Sequence, residues 1–184
     1  MFVAQQKRKE NIAEYILYLW QLEDLLRALK FSPDAVWSHL VEPSGRTDLE
    51  KQQLLMWYTE LGSLLKSEGK SEGGHLDHTL HLIGDLQNFH YRLVEIPEGA
   101  KYKEAFEALK EELPRLRIVL AKDGVSDMEL CFRALYGVML YRMKGDTERS
   151  EALAEVVGMI SPVIALLADA YGKAERGEIS LFQE

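Results

Sequence analysis

The chain has 184 residues, 47% hydrophobic, 28% charged and 9% aromatic, the balance of one ordinary globular domain and not of a disordered or fibrous chain. With 30 Asp and Glu against 22 Lys and Arg, the net charge of −8 argues against affinity built by neutralising phosphates on duplex DNA or an anionic membrane. A single cysteine, Cys131, excludes an internal disulfide and a cysteine-built zinc site. No uncharged apolar run reaches the ~18 residues of a membrane span. The opening MFVAQQKRKE places its basic cluster after only a few apolar residues, which is not the order of a secretory signal, so a cytoplasmic protein is expected.

Helical spacing dominates the sequence. Over 10–30, ENIAEYILYLWQLEDLLRALK sets Ile12, Tyr15, Ile16, Leu19, Leu22 and Leu26 on one broad face, and Ala13, Leu17 and Trp20 extend it almost all round. A helix of that kind is expected to be central. Ser32 and Pro33 supply an N-cap and a first-turn proline for a short helix through Leu40, and Glu42-Pro43-Ser44-Gly45 reads as a loop. Thr47 and Glu50 have capping-box spacing and open a helix that stops near Gly69. GKSEGG, at about 69–74, is the expected flexible loop.

A third main helix is predicted from about His75 to Val94, and a fourth over 100–112, with Pro114 either kinking or dividing the line before Gly124. Ser126 and Glu129 repeat the capping-box spacing and open the second helix that is apolar nearly all round, over 126–144. The last unit begins near Asp146 or Thr147, meets Pro162, which kinks or restarts it, and fades toward a frayed tail over 177–184. Trp20 and Trp57 sit in weakly similar surroundings, but the register fails within a turn and no repeat array is read. The expected fold is an all-α single domain over 1–184: about six helices, antiparallel neighbours, and two central apolar helices at about 10–30 and 126–144.

Ligand-type side chains concentrate in GGHLDHTLHLIGDLQNFHYR. At about 100° per residue, Asp77, His78, His81 and Asp85 share one arc about 100° wide, whereas His75 and His90 fall on the opposite, apolar side. Their i,i+3 and i,i+4 spacings would let two side chains share a zinc or other first-row divalent ion; the same stripe also suits a solvated face of mild ion pairs. Glu23 lies within the apolar arc of the first long helix. A buried carboxylate needs a partner, and Arg27, four residues on, is within reach, as are Arg133 and Arg142 on the second apolar helix. Trp20 and Trp57 are core candidates, and an aromatic-lined pocket between helices would draw on them too. Lys7-Arg8-Lys9 reads as a solvated N-terminal turn. Cys131, in an apolar helix, is expected to be inert.

The stretches AQQKRKENIAEYILYLWQLEDLLRA and MELCFRALYGVMLYRMK resemble a family of uncharacterised bacterial proteins, domain of unknown function 4924. The resemblance covers essentially the whole chain and is most specific in the N-terminal stretch, which holds Gln5, Gln6, Lys7, Arg8, Glu10, Asn11, Tyr15, Trp20, Glu23 and Asp24. It implies an all-helical cytoplasmic protein and brings no catalytic residue, cofactor or partner with it.

The expected function is therefore a non-enzymatic interaction or ligand-binding module, with Glu23, Arg27, Trp20 and Trp57 as binding candidates and no cofactor. The excess of apolar helix surface points to a homodimer or a protein partner; no membrane and no nucleic acid is expected. The alternative is a metal-dependent hydrolase in which Asp77, His78, His81 and Asp85 hold zinc or another first-row divalent ion.

Overall fold

Asn11 divides the N-terminal helical run. Its backbone leaves the helical region (φ −157°, ψ 110°), and its side-chain oxygen accepts from the amides of Ala13 and Glu14, which are the bonds of an N-cap. Helix α1 (Phe2–Glu10) thus precedes α2 (Ile12–Ala28) in the computed structural model, which describes residues 1–180. Ser32 caps α3 (Pro33–Val36), which passes into a π-helical turn over Trp37–Val41 and a 3-10 turn over Glu42–Ser44. The Thr47–Glu50 capping box is formed in both directions and opens α4 (Asp48–Ser67). Helix α5 (Asp77–Leu93) follows the GKSEGG loop.

Pro114 divides and does not kink: α6 (Ala100–Lys110) ends before it, and it enters the first turn of α7 (Leu113–Leu120), where a missing N–H is tolerated. Ser126 caps α8 (Asp127–Met143) by accepting from the amide of Glu129, but the Glu129 carboxylate turns instead to Arg133, so half of the expected box forms. Helix α9 (Thr147–Glu175) continues through Pro162, which does not divide it. The proposed fraying of 177–184 falls partly on residues 181–184, outside the described residues.

The all-α single domain stands, but the expectation of about six helices around two central apolar ones, 10–30 and 126–144, is overturned. Among the described residues there are nine α-helices, and one of them, α9, is apolar over a membrane-spanning length. The physical reason lies in what covers each helix. Helix α2 is apolar nearly all round because it serves two cores along its length: Ile12, Ala13, Ile16 and Trp20 join the large core, whereas Leu22 and Leu26 join a smaller one with Val36, Val41, Leu54, Tyr58, Leu65 and Leu76. Helix α8 packs chiefly on α9, and α9 also touches α6, α2 and α5, so the last helix holds the centre. Its segment Leu153–Glu175 has the length of a membrane span, and an 18-residue window within it has a mean hydropathy of 1.8 and is 44% buried within the bundle. Glu155, Asp169, Lys173 and Glu175 interrupt that segment.

One close approach fixes the connection into α6. Gly99 is buried in the Pro97–Gly99 turn, and a β-carbon there would stand 1.8 Å from the carbonyl oxygen of Leu93, so no larger residue fits that backbone.

Candidate functional site

Two polar sites flank α2. The first is buried. Glu23, 2% exposed, accepts on one carboxylate oxygen from Nδ1 of His75 at 2.8 Å and on the other from the amide of Leu76 at 3.2 Å, while an Arg27 nitrogen stands 4.0 Å away. The carboxylate can only accept, so the imidazole is the Nδ1–H tautomer or the cation. His75 stacks on Trp20 with ring centroids 3.7 Å apart and planes 9° from parallel. The Trp20 indole donates to the hydroxyl of Thr79 at 2.9 Å, and that hydroxyl donates to the carbonyl of Leu76.

The partner of Glu23 is thus the histidine 52 positions away, with Arg27 supporting from a distance. Arg27 instead pairs with Asp24 at 2.6 Å and donates to the carbonyls of Lys70 and Gly74, fastening the GKSEGG loop to α2. Tyr136 closes the cluster from α8, donating to Asp24 at 2.5 Å with its hydroxyl 2.9 Å from the carbonyl of Trp20. Burial, and then the bond to Asp24, push the phenol well above its ordinary range. Arg133 pairs with Glu129 and lies over the Trp20 ring, so it is not the counter-ion of Glu23. Where this cluster nears the surface, Leu25, Leu140 and Met143 line a cavity of about 330 Å3 whose polar residues are Gln21, which donates to Met139 Sδ, and Asp24 and Tyr136, which are bonded to each other.

A second buried pair joins α5 to α6. His90 Nδ1 and the Tyr102 hydroxyl are 2.6 Å apart, against Phe106 and Met128. Burial lowers the His90 pKa below the ordinary 6.5 and raises that of Tyr102. Cys131 is fully buried beside them, and burial pushes its thiol up to about 12, so it is inert at neutral pH as expected.

The metal-stripe residues are placed on the exposed face of α5. Asp77 pairs with Lys70 at 3.5 Å; His78 Nε2 lies 3.3 Å from the hydroxyl of Tyr15; His81 and Asp85 are exposed. Among the described residues no three His, Cys, Asp or Glu side chains gather closely enough to hold an ion.

The second site is a groove of about 560 Å3 at the N-terminal end, lined by Met1, by Ala4, Gln5, Arg8 and Lys9 of α1, by Tyr15 of α2 and by Trp57 of α4. Helix periodicity builds it: positions 4, 5, 8 and 9 follow the i, i+4 face of α1, which sets the half-buried Arg8 and the exposed Lys9 side by side. Lys7, on another face, is engaged by Glu14 at 2.6 Å. Arg8 forms a two-pronged pair with Glu175 at the end of α9, at 2.7 and 3.0 Å, and that bond holds its guanidinium charged above the usual arginine range. Lys9 and Gln5 have no side-chain partner among the described residues.

Of the four predicted binding residues, then, Glu23, Arg27 and Trp20 are brought together in the buried cluster and Trp57 is placed in the groove. Missing from the sequence reading are His75, Thr79 and Tyr136 in the first site and Gln5, Arg8, Lys9 and Tyr15 in the second.

These features define an all-helical bundle domain whose buried polar side chains bond one another, Gln87 Nε2 being without a partner among the described residues, and whose N-terminal groove keeps open donors. The chain belongs to the family described as Domain of unknown function (DUF4924), whose model matches residues 1–178. No curated protein and no solved structure matches the chain.

Proposed function

We propose that the chain is a non-enzymatic binding module whose N-terminal groove takes a small molecule with an aromatic body and an anionic group. The observation that carries this reading is the pairing of aromatic walls, Tyr15 and Trp57, with the donors Gln5, Arg8 and Lys9 around one cavity of about 560 Å3. Small-molecule sites run to roughly 300–1,000 Å3 and join apolar walls to a few orienting polar groups. Two cations side by side on a chain of net charge −8 favour an anion locally against the field of the whole. The non-enzymatic part rests on the disposition of the buried titratable groups. Glu23 with His75, and His90 with Tyr102, are bonded to each other, whereas a general base must reach a proton on its substrate.

Isothermal titration with 1-naphthoate, an aromatic carboxylate of suitable size, tests this. The expected result is saturable one-to-one binding that weakens about 10-fold in Lys9→Gln and at least as much in Trp57→Leu, each corresponding to about 1.4 kcal/mol. An isotherm with no saturation at millimolar ligand, or one unchanged by both substitutions, would overturn the reading.

A further inference from the structure

One of the groove's lining cations, Arg8, is held by a carboxylate of the chain's own. Glu175, the last residue of α9, reaches back across 167 positions and occupies the fork of Arg8 with both oxygens, at 2.7 and 3.0 Å. A planar guanidinium binds a carboxylate in this paired geometry, so the structure displays the anion that Arg8 accepts. Both partners keep contact with solvent, with side-chain exposures of 34% for Arg8 and 42% for Glu175. An exposed pair of this kind is worth only about 0–1 kcal/mol, which an incoming ligand offsets easily.

Resting on the groove reading above, we infer that the ligand's anionic group is a carboxylate that takes Arg8 from Glu175, so that filling the groove releases the C-terminal end of α9. Lys9, beside Arg8 and without a side-chain partner among the described residues, receives the second charge-assisted contact, and Tyr15 and Trp57 take the aromatic body. Lys7 stays with Glu14 on the far side and does not compete. Release at Glu175 is local. The helix ends there, and Gly177 turns the chain at φ 74°, so the last turn of α9 can open by giving up the packing of Ala174 while Leu167, Ala168, Ala170 and Tyr171 stay on the core. Coupling of this kind is reciprocal: the ligand weakens the Glu175 bond by the factor by which that bond weakens the ligand's affinity, so loss of the bond raises the affinity.

The test titrates wild type and Glu175→Gln with 1-naphthoate and follows amide hydrogen exchange over 170–178 with and without it. Glu175→Gln is expected to bind about 2- to 5-fold more tightly, the range of an exposed ion pair. In wild type the ligand is expected to speed exchange over 172–178 to the rate Glu175→Gln already shows without ligand. If wild type binds but Glu175→Gln binds equally and exchange does not change, the displacement is overturned and the groove reading survives. Binding by neither chain removes both. A 1-naphthyl phosphate that binds more tightly than 1-naphthoate overturns the assignment of the anion as a carboxylate.

Discussion

The cluster around Glu23 and the groove around Arg8 use similar chemistry to opposite ends. Each sets a carboxylate against a nitrogen group at under 3 Å, and each does so across a long stretch of chain. What separates them is solvent. Glu23 is 2% exposed, and an unpartnered charge there carries a penalty of several kcal/mol, so each neighbouring polar group is drawn into bonds: His75, Leu76, Thr79, Tyr136, Asp24 and Arg27. Around Arg8 water remains available, the pair is worth little, and Lys9 and Gln5 have no protein partner among the described residues. Deep burial makes a polar cluster part of the fold, whereas partial exposure leaves donors open to exchange. Burial alone, then, is a poor guide to a ligand site in this chain.

Substitutions can break that contrast. The largest effect is expected for Glu23→Ala, which strands the imidazole of His75 and the amide of Leu76. It should lower unfolding free energy by about 3–5 kcal/mol in urea titrations. If the folded fraction is then restored by an osmolyte, 1-naphthoate should still bind. Tyr136→Phe removes one donor from Asp24 and should cost roughly 1–3 kcal/mol, again without moving ligand affinity.

Acid sharpens the contrast at the other buried pair. The His90 pKa is lowered in the fold, so the unfolded chain takes up its proton first. The contribution is present in full above the ordinary 6.5 and is lost as the pH falls from there through the folded-state value. Midpoints of thermal unfolding should therefore fall between pH 7 and pH 5 more steeply in wild type than in the double variant His90→Phe with Tyr102→Phe. Equal slopes would show that His90 is not the group responsible. The smallest stability effect is expected in the groove: Lys9→Gln should stay within about 0.5 kcal/mol of wild type while losing ligand affinity. A destabilisation of several kcal/mol would mean that the groove, too, is part of the fold.

Local chemistry is where the sequence was most legible. The Ser32–Pro33 start and the Thr47–Glu50 capping box need only neighbours within a turn, and both form as read. The burial of Glu23 followed from its place among Ile12 and Ile16, and the inward side of His75 and His90 from helical spacing. That Glu23 and His75 meet could not be read, because 52 residues of chain separate them and nothing local marks the pair; the one available signal was a buried carboxylate and an inward histidine each in need of a partner. The helix count failed for a related reason. Asn11 and Pro114 are ambiguous until the chain direction beyond them is known, and α1 carries the basic run that reads as a solvated lead. The groove was least legible of all, since Tyr15 and Trp57 become neighbours only when α4 folds back toward α1 and α2.

The most direct measurement is a crystal structure of the chain with 1-naphthoate bound. The account predicts the carboxylate on Arg8 and Lys9, the ring between Tyr15 and Trp57, and Glu175 turned away from Arg8. A ligand seated elsewhere, or a groove filled with the Arg8–Glu175 pair still closed, would contradict it.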